Sequence, residues 1–141
     1  MTTIFVFGSN LAGRHGAGAA RTARLQHGAI YGMGVGRTGD SYAIPTLDGQ
    51  LRKLQLYQIG NYVSDFCDYA KANEHLTFYV TRLGCGLAGF TDAEIAPLFK
   101  GVSKNCILPV EWLEYLSDED RVTVQHHHWE QDQLEAAHGR A

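Results

Sequence analysis

The residues best suited to chemistry are Leu83-Gly84-Cys85-Gly86-Leu87-Ala88-Gly89-Phe90-Thr91-Asp92-Ala93-Glu94. Gly84, Gly86 and Gly89 carry no Cβ, so a ligand can approach the main chain closely. Thr91 and Glu94 stand three apart as a capping box and open a helix over residues 92–99. A strand-like run, Leu76-Thr77-Phe78-Tyr79-Val80-Thr81, leads into the glycines. A strand entering a glycine-rich turn and then a helix N-terminus turns several N–H groups outward, the arrangement that holds a phosphate. Cys85 has two readings. It is a nucleophile with His15 as its base, or, weighing more, a small side chain tucked behind the loop. Asp92 is expected to favour the helix start electrostatically, with a general-base role held in reserve.

A second such stretch, Gly8-Ser9-Asn10-Leu11-Ala12-Gly13-Arg14-His15-Gly16-Ala17-Gly18, follows the apolar run Ile4-Phe5-Val6-Phe7. Asn10 turns or caps the chain, or offers its amide to a ligand. His15 sits among glycines rather than on an apolar face, which argues against buried packing. It reads as a solvated loop histidine, a phosphate donor or a general acid or base, since its ordinary pKa lies near neutrality. Arg14 and Arg37 are candidate phosphate contacts. The letters Gly84-Cys85-Gly86-Leu87-Ala88-Gly89 also match the dinucleotide fingerprint, but they come late in the chain, with little sequence left to build that fold.

The remaining elements must position these loops. At 141 residues the chain suffices for one domain with its own core. Residues 17–26 suit a helix stopped by Gly28. Four glycines within residues 30–39 suggest an irregular functional loop. Ser41-Tyr42-Ala43-Ile44-Pro45-Thr46 reads as a strand stopped by its proline, and Asp48-Gly49 as a turn. Leu56, Ile59, Val63, Phe66 and Ala70 form an apolar stripe at helical spacing. Residues 105–110 are the last strand candidate, and residues 111–116 a short helical turn. The domain organisation is therefore 1–116, followed by an acidic tail 117–141 with a helix candidate over 130–137. His126-His127-His128 and His138 are read as solvated: adjacent histidines diverge, whereas metal pairs favour i, i+4 spacing. Neither metal nor cofactor is expected.

Net charge is −3, which argues against broad nucleic-acid binding. Arg14, Arg21, Arg24, Arg37, Arg52 and Lys53 nevertheless place the basic half of the chain beside the first glycine loop, as an anionic small molecule requires. Three cysteines without paired spacing fit a reducing, cytoplasmic setting. Met1-Thr2-Thr3 leads straight into a strand, so no signal peptide is expected. No apolar run reaches the length of a membrane span. Packing of the tail against a second copy of the chain stays open as a route to a homo-oligomer.

Taken together, the two glycine loops resemble those of the macrodomain superfamily over roughly residues 3–116. Asn10-Leu11-Ala12-Gly13-Arg14-His15-Gly16-Ala17-Gly18-Ala19 is similar to the family's asparagine-led loop. Leu83-Gly84-Cys85-Gly86-Leu87-Ala88-Gly89 is similar to its diphosphate loop, in the Gly-Cys-Gly form of one branch of ADP-ribosyl hydrolases. Residues 39–46 and 80–99 resemble macro-like proteins of bacteria and phages. The resemblance implies a three-layer α/β/α fold with a mixed, mostly parallel sheet and a cleft at the carboxyl ends of the strands. It also implies an ADP-ribose-type ligand. The diphosphate would lie on Gly84, Cys85, Gly86, Leu87, Ala88, Gly89 and Phe90, and the distal ribose on Asn10, Gly13 and His15, with Ser9, Leu11 and Gly16 also binding the ligand. Phe90 or Tyr42 would face a sugar or base.

Three departures accompany the likeness. The family's preceding strand, with its adenine-binding aspartate, is missing. Ala88 stands where the Gly-Cys-Gly hydrolases carry an acid. Their catalytic lysine has no counterpart, because Lys53 and Lys71 fall in helix-like contexts. The expected functions are an ADP-ribosyl hydrolase using Asn10 and His15, a non-catalytic module that recognises an NAD-derived signal, and a Rossmann-type nucleotide binder.

Overall fold

The computed structural model describes residues 2–129. Its strands are β1 (Thr3–Asn10), β2 (Gly36–Thr38), β3 (Ser41–Leu47), β4 (Thr77–Val80), β5 (Cys106–Pro109) and β6 (Gln125–His127). Its α-helices are α1 (Gly18–Gln26), α2 (Leu56–Ala72), α3 (Asp92–Ile95) and α4 (Asp118–Thr123). The strands form one mixed sheet in the order β2-β3-β1-β4-β5-β6. All neighbours are parallel except the antiparallel pair β2 and β3. Among the described residues no helix is long and apolar enough to cross a membrane.

Alternation along β1 decides where the helices go, because successive side chains of a strand leave by opposite faces. Ile4 and Val6 join the larger core with Ile44, Phe78 and Leu108. The stripe expected on α2 lands there, with Ile59, Val63, Phe66 and Ala70 all buried. Phe5 and Phe7 leave by the other face and meet Ala23 of α1 and Ala43. The small side chains of α1, Ala19, Ala20 and Ala23, let that helix lie close on the sheet. Each large side chain fully buried in these layers contributes about 1.5–3 kcal/mol.

Four local expectations are corrected. β3 runs through Pro45 to Leu47, because its pairing with β1 is irregular just there: Ser9 faces Pro45 and Asn10 faces Leu47. A proline is tolerated at such a bulge, where the ladder does not need its N–H. The glycine-rich segment 30–39 contains the short edge strand β2, entered through Gly36 at a φ of 84°. The helix over 92–99 is α3 followed by a 3-10 turn, Ala96–Phe99, with Pro97 at the change; proline cannot donate the next α-helical bond. The acidic segment after Ser117 supplies α4 and β6, the sixth strand of the sheet. The helix candidate over 130–137 lies outside the described residues.

The loop between α1 and β2 closes over residues 10–15 through glycine-to-glycine contact. Gly32 N–H donates to Gly13 O, and Ser9 Oγ donates to Gly34 O. A Cβ on Gly34 would be driven into the Asn10 carbonyl oxygen, whereas one on Gly86 would meet nothing within 4 Å. Gly34→Ala should therefore lower stability by about 1–3 kcal/mol, and Gly86→Ala should change it by less than about 0.5 kcal/mol. Paired urea melts of the two variants check the contrast.

Candidate functional site

β1 lies between two parallel neighbours, and its loop leaves toward the face of α1. The loop after β4 leaves toward the opposite face, where Ala88, Phe90 and Ile95 join the larger core. Open α/β sheets bind ligands at such a divergence, beyond the carboxyl ends of the strands. The end of β1 touches the start of the second glycine loop there. A Cβ on Gly8 would sit 3.2 Å from Leu83 Cβ and 3.3 Å from Gly84 N. A side chain at Gly8 would press on the second loop, whose nearest atoms would have to give by a few tenths of an ångström.

The second loop donates inward three times. Cys85 N–H reaches Arg82 O at 3.2 Å, Gly89 N–H reaches Gly86 O at 3.0 Å, and Phe90 N–H reaches Gly84 O at 2.8 Å. Among the described residues, the N–H groups of Gly84, Gly86, Leu87 and Ala88 meet no protein acceptor. Gly84 and Gly89 hold φ values of 78° and 76°, a region that favours glycine. Gly86 and Leu87 are exposed, Leu87 at 85%. Gly86 and Leu87 thus lie open at the surface while Gly84 and Ala88 are buried beside them, and the expected capping box follows. Thr91 Oγ1 accepts from Glu94 N–H, and Glu94 Oε1 accepts from Thr91 N–H.

Asp92 anchors this loop. Its Oδ1 accepts from Arg82 Nε at 3.1 Å and from Trp112 Nε1 at 2.8 Å, and its Oδ2 accepts from Arg82 Nη2 at 2.7 Å. Burial would raise its pKa, but the donors Arg82, Cys85 and Trp112 outweigh burial and hold it below the ordinary carboxylate value. A carboxylate so engaged is a poor base. The Cys85 thiol is pushed up to about 12 by burial and by its hydrogen bond to Asp92. The nucleophile reading of Cys85 therefore lacks its thiolate, and the thiol serves the loop.

The first loop differs from expectation in its side chains. Asn10 is buried and closes its own turn: Nδ2 donates to Arg14 O and Oδ1 accepts from Arg14 N–H, each at 3.0 Å. This is the capping alternative, and it occupies both ends of the amide. His15 is 0% exposed, against the expectation that it would not pack. Its ring stands edge-on to Phe7, with centroids 5.2 Å apart, and Nε2 lies 3.0 Å from Met33 O. The overlying loop, donated by residues 30–35, buries a histidine that looks solvated in sequence. The N–H groups of His15, Gly16 and Ala17 meet no acceptor among the described residues. The side chain of Ser9 is spent on Gly34, Leu11 is half exposed, and Gly13 packs on Gly32.

Tyr42 cannot face a ligand: it packs between Phe66 and Tyr69, and burial pushes its hydroxyl up to about 12. Arg37 is on edge strand β2 and donates to Gly39 O and Tyr69 Oη. Arg14 remains exposed on the first loop. The histidine run is not solvated throughout. His127 is buried, stacked on Tyr79 with centroids 3.9 Å apart, and its Nε2 faces Val80 O.

A third segment, not anticipated at the site, joins the two loops. Lys53 is not helical; it pairs with Leu47 in an isolated bridge. Its Nζ lies 4.1 Å from the Phe90 ring centroid and 3.4 Å from Gly89 O. Gly49 on the same segment approaches Ala12, where a Cβ would be 3.9 Å from Ala12 Cβ. The signal in sequence was the Asp48-Gly49 turn placed directly after a strand. A depression elsewhere, lined by Lys100, Val102, Lys104, Ser117, Glu119 and Asp120, lies at the amino end of the sheet. Its mixed charges carry no comparable ledge of donors, so the loops at the carboxyl ends are the better candidate.

The Asp92 anchor makes a pH-dependent prediction. A carboxylate with a lowered folded pKa adds stability above its unfolded value, near 4, and loses it as pH falls through the folded value. Its side chain is 19% exposed, so Asp92→Asn should cost about 1–3 kcal/mol at pH 7. The gap between variant and parent should close as pH falls through the folded carboxyl's lowered pKa. Denaturant melts across pH check this, and a gap independent of pH would exclude the ionic anchor.

The sequence matches no protein-family model, no curated protein and no solved structure.

Proposed function

We propose that this protein binds ADP-ribose, or a nucleotide derived from it, on a macrodomain-like fold, with the diphosphate lying along residues 84–90. The observation that carries the reading is the set of N–H groups on Gly84, Gly86, Leu87 and Ala88 without protein acceptors, beside the end of β1. Backbone donors left unpaired in a glycine ledge suit an anion better than any neutral ligand. The N–H groups of His15, Gly16 and Ala17, which meet no acceptor among the described residues, are further donors on the first loop. Arg14 and Lys53 add positive charge at the rim.

Recognition fits the site better than hydrolysis. Of the two side chains that sequence offers for catalysis, Asn10 is engaged at both ends by Arg14, and His15 is fully enclosed, with Nε2 on Met33 O and Nδ1 buried without a hydrogen-bond partner among the described residues. Asp92 is taken by its own donors, and Cys85 is held as a thiol. The site therefore serves to hold an NAD-derived signal, and the three free cysteines of the chain, Cys67, Cys85 and Cys106, suit a reducing cytoplasm.

Titration calorimetry with ADP-ribose, AMP and NAD tests the ligand class. ADP-ribose should bind, and AMP, with one phosphate, should bind at least about tenfold more weakly. Gly86→Val puts a side chain where the anion would lie, in space the protein leaves open. It should abolish ADP-ribose binding while leaving the melting temperature within about 2 °C of the parent. Mass spectrometry of an ADP-ribosylated peptide incubated with the protein should show no released ADP-ribose. Release would reassign the site to a hydrolase, and unaltered binding by Gly86→Val would exclude the ledge.

A further inference from the structure

We infer that Lys53 is a movable ligand for the diphosphate, parked on the Phe90 ring when the site is free and drawn onto the phosphate when it is filled. This rests on the diphosphate reading above and assigns that ligand a side-chain partner. The segment 47–54 is built like a hinge with one loose arm. Its backbone is fixed at both ends: Leu47 and Lys53 form a bridge, and Leu54 N–H donates to Thr46 O at 3.0 Å. Between them Asp48 Oδ1 accepts from Gln50 N–H and Arg52 N–H, and Asp48 Oδ2 accepts from Arg52 Nε at 2.9 Å. The tight turn drives Leu51 to a φ of 63°, a conformation non-glycine residues hold only where surroundings enforce it.

Arg52 is thereby paired, whereas the Lys53 side chain is not. Among the described residues Lys53 has no carboxylate within ion-pair distance. Glu94, the acid that feels its charge, is already occupied by Thr91 N–H and Thr91 Oγ1. The ammonium rests on a ring at 4.1 Å and makes a long bond, 3.4 Å, to Gly89 O. Both are weak partners for an exposed ammonium beside charge-assisted bonds to a phosphate. Gly89 closes the same glycine ledge whose free N–H groups face the ligand, so a short swing of a four-carbon stem carries Nζ from one to the other. Main-chain donors and a mobile cation would then grip the diphosphate from two directions, and Phe90 would lose its covering charge.

The experiment is calorimetry with inorganic pyrophosphate and with ADP-ribose on the parent, Lys53→Met and Arg52→Met, joined to NMR of the Phe90 ring and the Lys53 side chain. Lys53→Met should weaken both ligands by about tenfold or more, as loss of a charge-assisted phosphate contact does. Arg52→Met should stay within about twofold, since its charge is spent on Asp48. Saturating pyrophosphate should remove the Lys53–Phe90 cross-peaks and move the Phe90 ring shifts toward those of free Lys53→Met. If the parent binds and Lys53→Met binds equally well, the inference fails while the diphosphate reading stands. Cross-peaks that persist in the complex exclude the exchange even where affinity falls. A parent that binds neither ligand overturns both.

Discussion

The constraint on which the rest depends is that β1 is a central strand with parallel partners on both sides and a loop that must leave by one face only. Apolar side chains on both of its faces fix it in the middle, because Ile4 and Val6 need the α2 layer and Phe5 and Phe7 need the α1 layer. Once β1 is so placed, the loop after β4 is carried to the other face by the core that holds Phe90 and Ile95. The divergence of the two loops is a by-product of burying both sides of one strand. Gly8 then settles how near the loops come, since any side chain at that point would meet Leu83 and the Gly84 N–H at contact distance.

A ledge of unpaired donors on glycines is a poor structure to leave unsupported, because glycine loses more conformational freedom on ordering than any other residue. Asp92 resolves this with charge rather than apolar packing. Its carboxylate is the first residue of α3 and draws Arg82, Trp112 and the Cys85 thiol to one point, so the start of the loop, its middle and the following helix share one anchor. The same anchor removes the loop's most reactive candidate from chemistry. The Cys85 thiol donates to Leu83 O at 3.7 Å, and burial together with the nearby Asp92 charge opposes its deprotonated form.

The elements most legible in sequence were those set by periodicity or by a local chemical pair. The α2 stripe and the Thr91–Glu94 capping box were of this kind, and so was the strand-to-glycine passage at residues 83–89. What escaped sequence reasoning was decided by contacts between distant residues. His15 looks solvated among glycines until residues 30–35 fold over it, whereas the local pairing of Asn10 with Arg14 is the capping alternative that sequence already offered. Pro45 reads as a strand stop, yet it is harmless where β1 and β3 shift register. Lys53 lies just before a strongly helical stripe, and only the pairing of Leu47 with Lys53 shows the segment to be extended. The polar composition after Ser117 conceals β6, whose inward side chain is a histidine stacked on Tyr79 rather than an aliphatic residue.

These two kinds of information divide the site in a way that bears on what it can do. Main-chain donors are laid down by glycines and a capping box, features that sequence shows directly. The side chains that would turn binding into chemistry are placed by tertiary contact, and here tertiary contact spends them on structure. His15 braces the roof over the first loop, Asn10 closes that loop, and Asp92 ties down the second. A general acid or base must exchange its proton with substrate, and His15 Nδ1, which has no hydrogen-bond partner among the described residues, is enclosed rather than presented at the surface. Rigidity gained by committing those groups instead favours affinity, since donors already held in place lose little freedom when a ligand arrives. The architecture accords with the proposed receptor for an anion, and Lys53, held only by a ring and a long hydrogen bond, is free enough to respond.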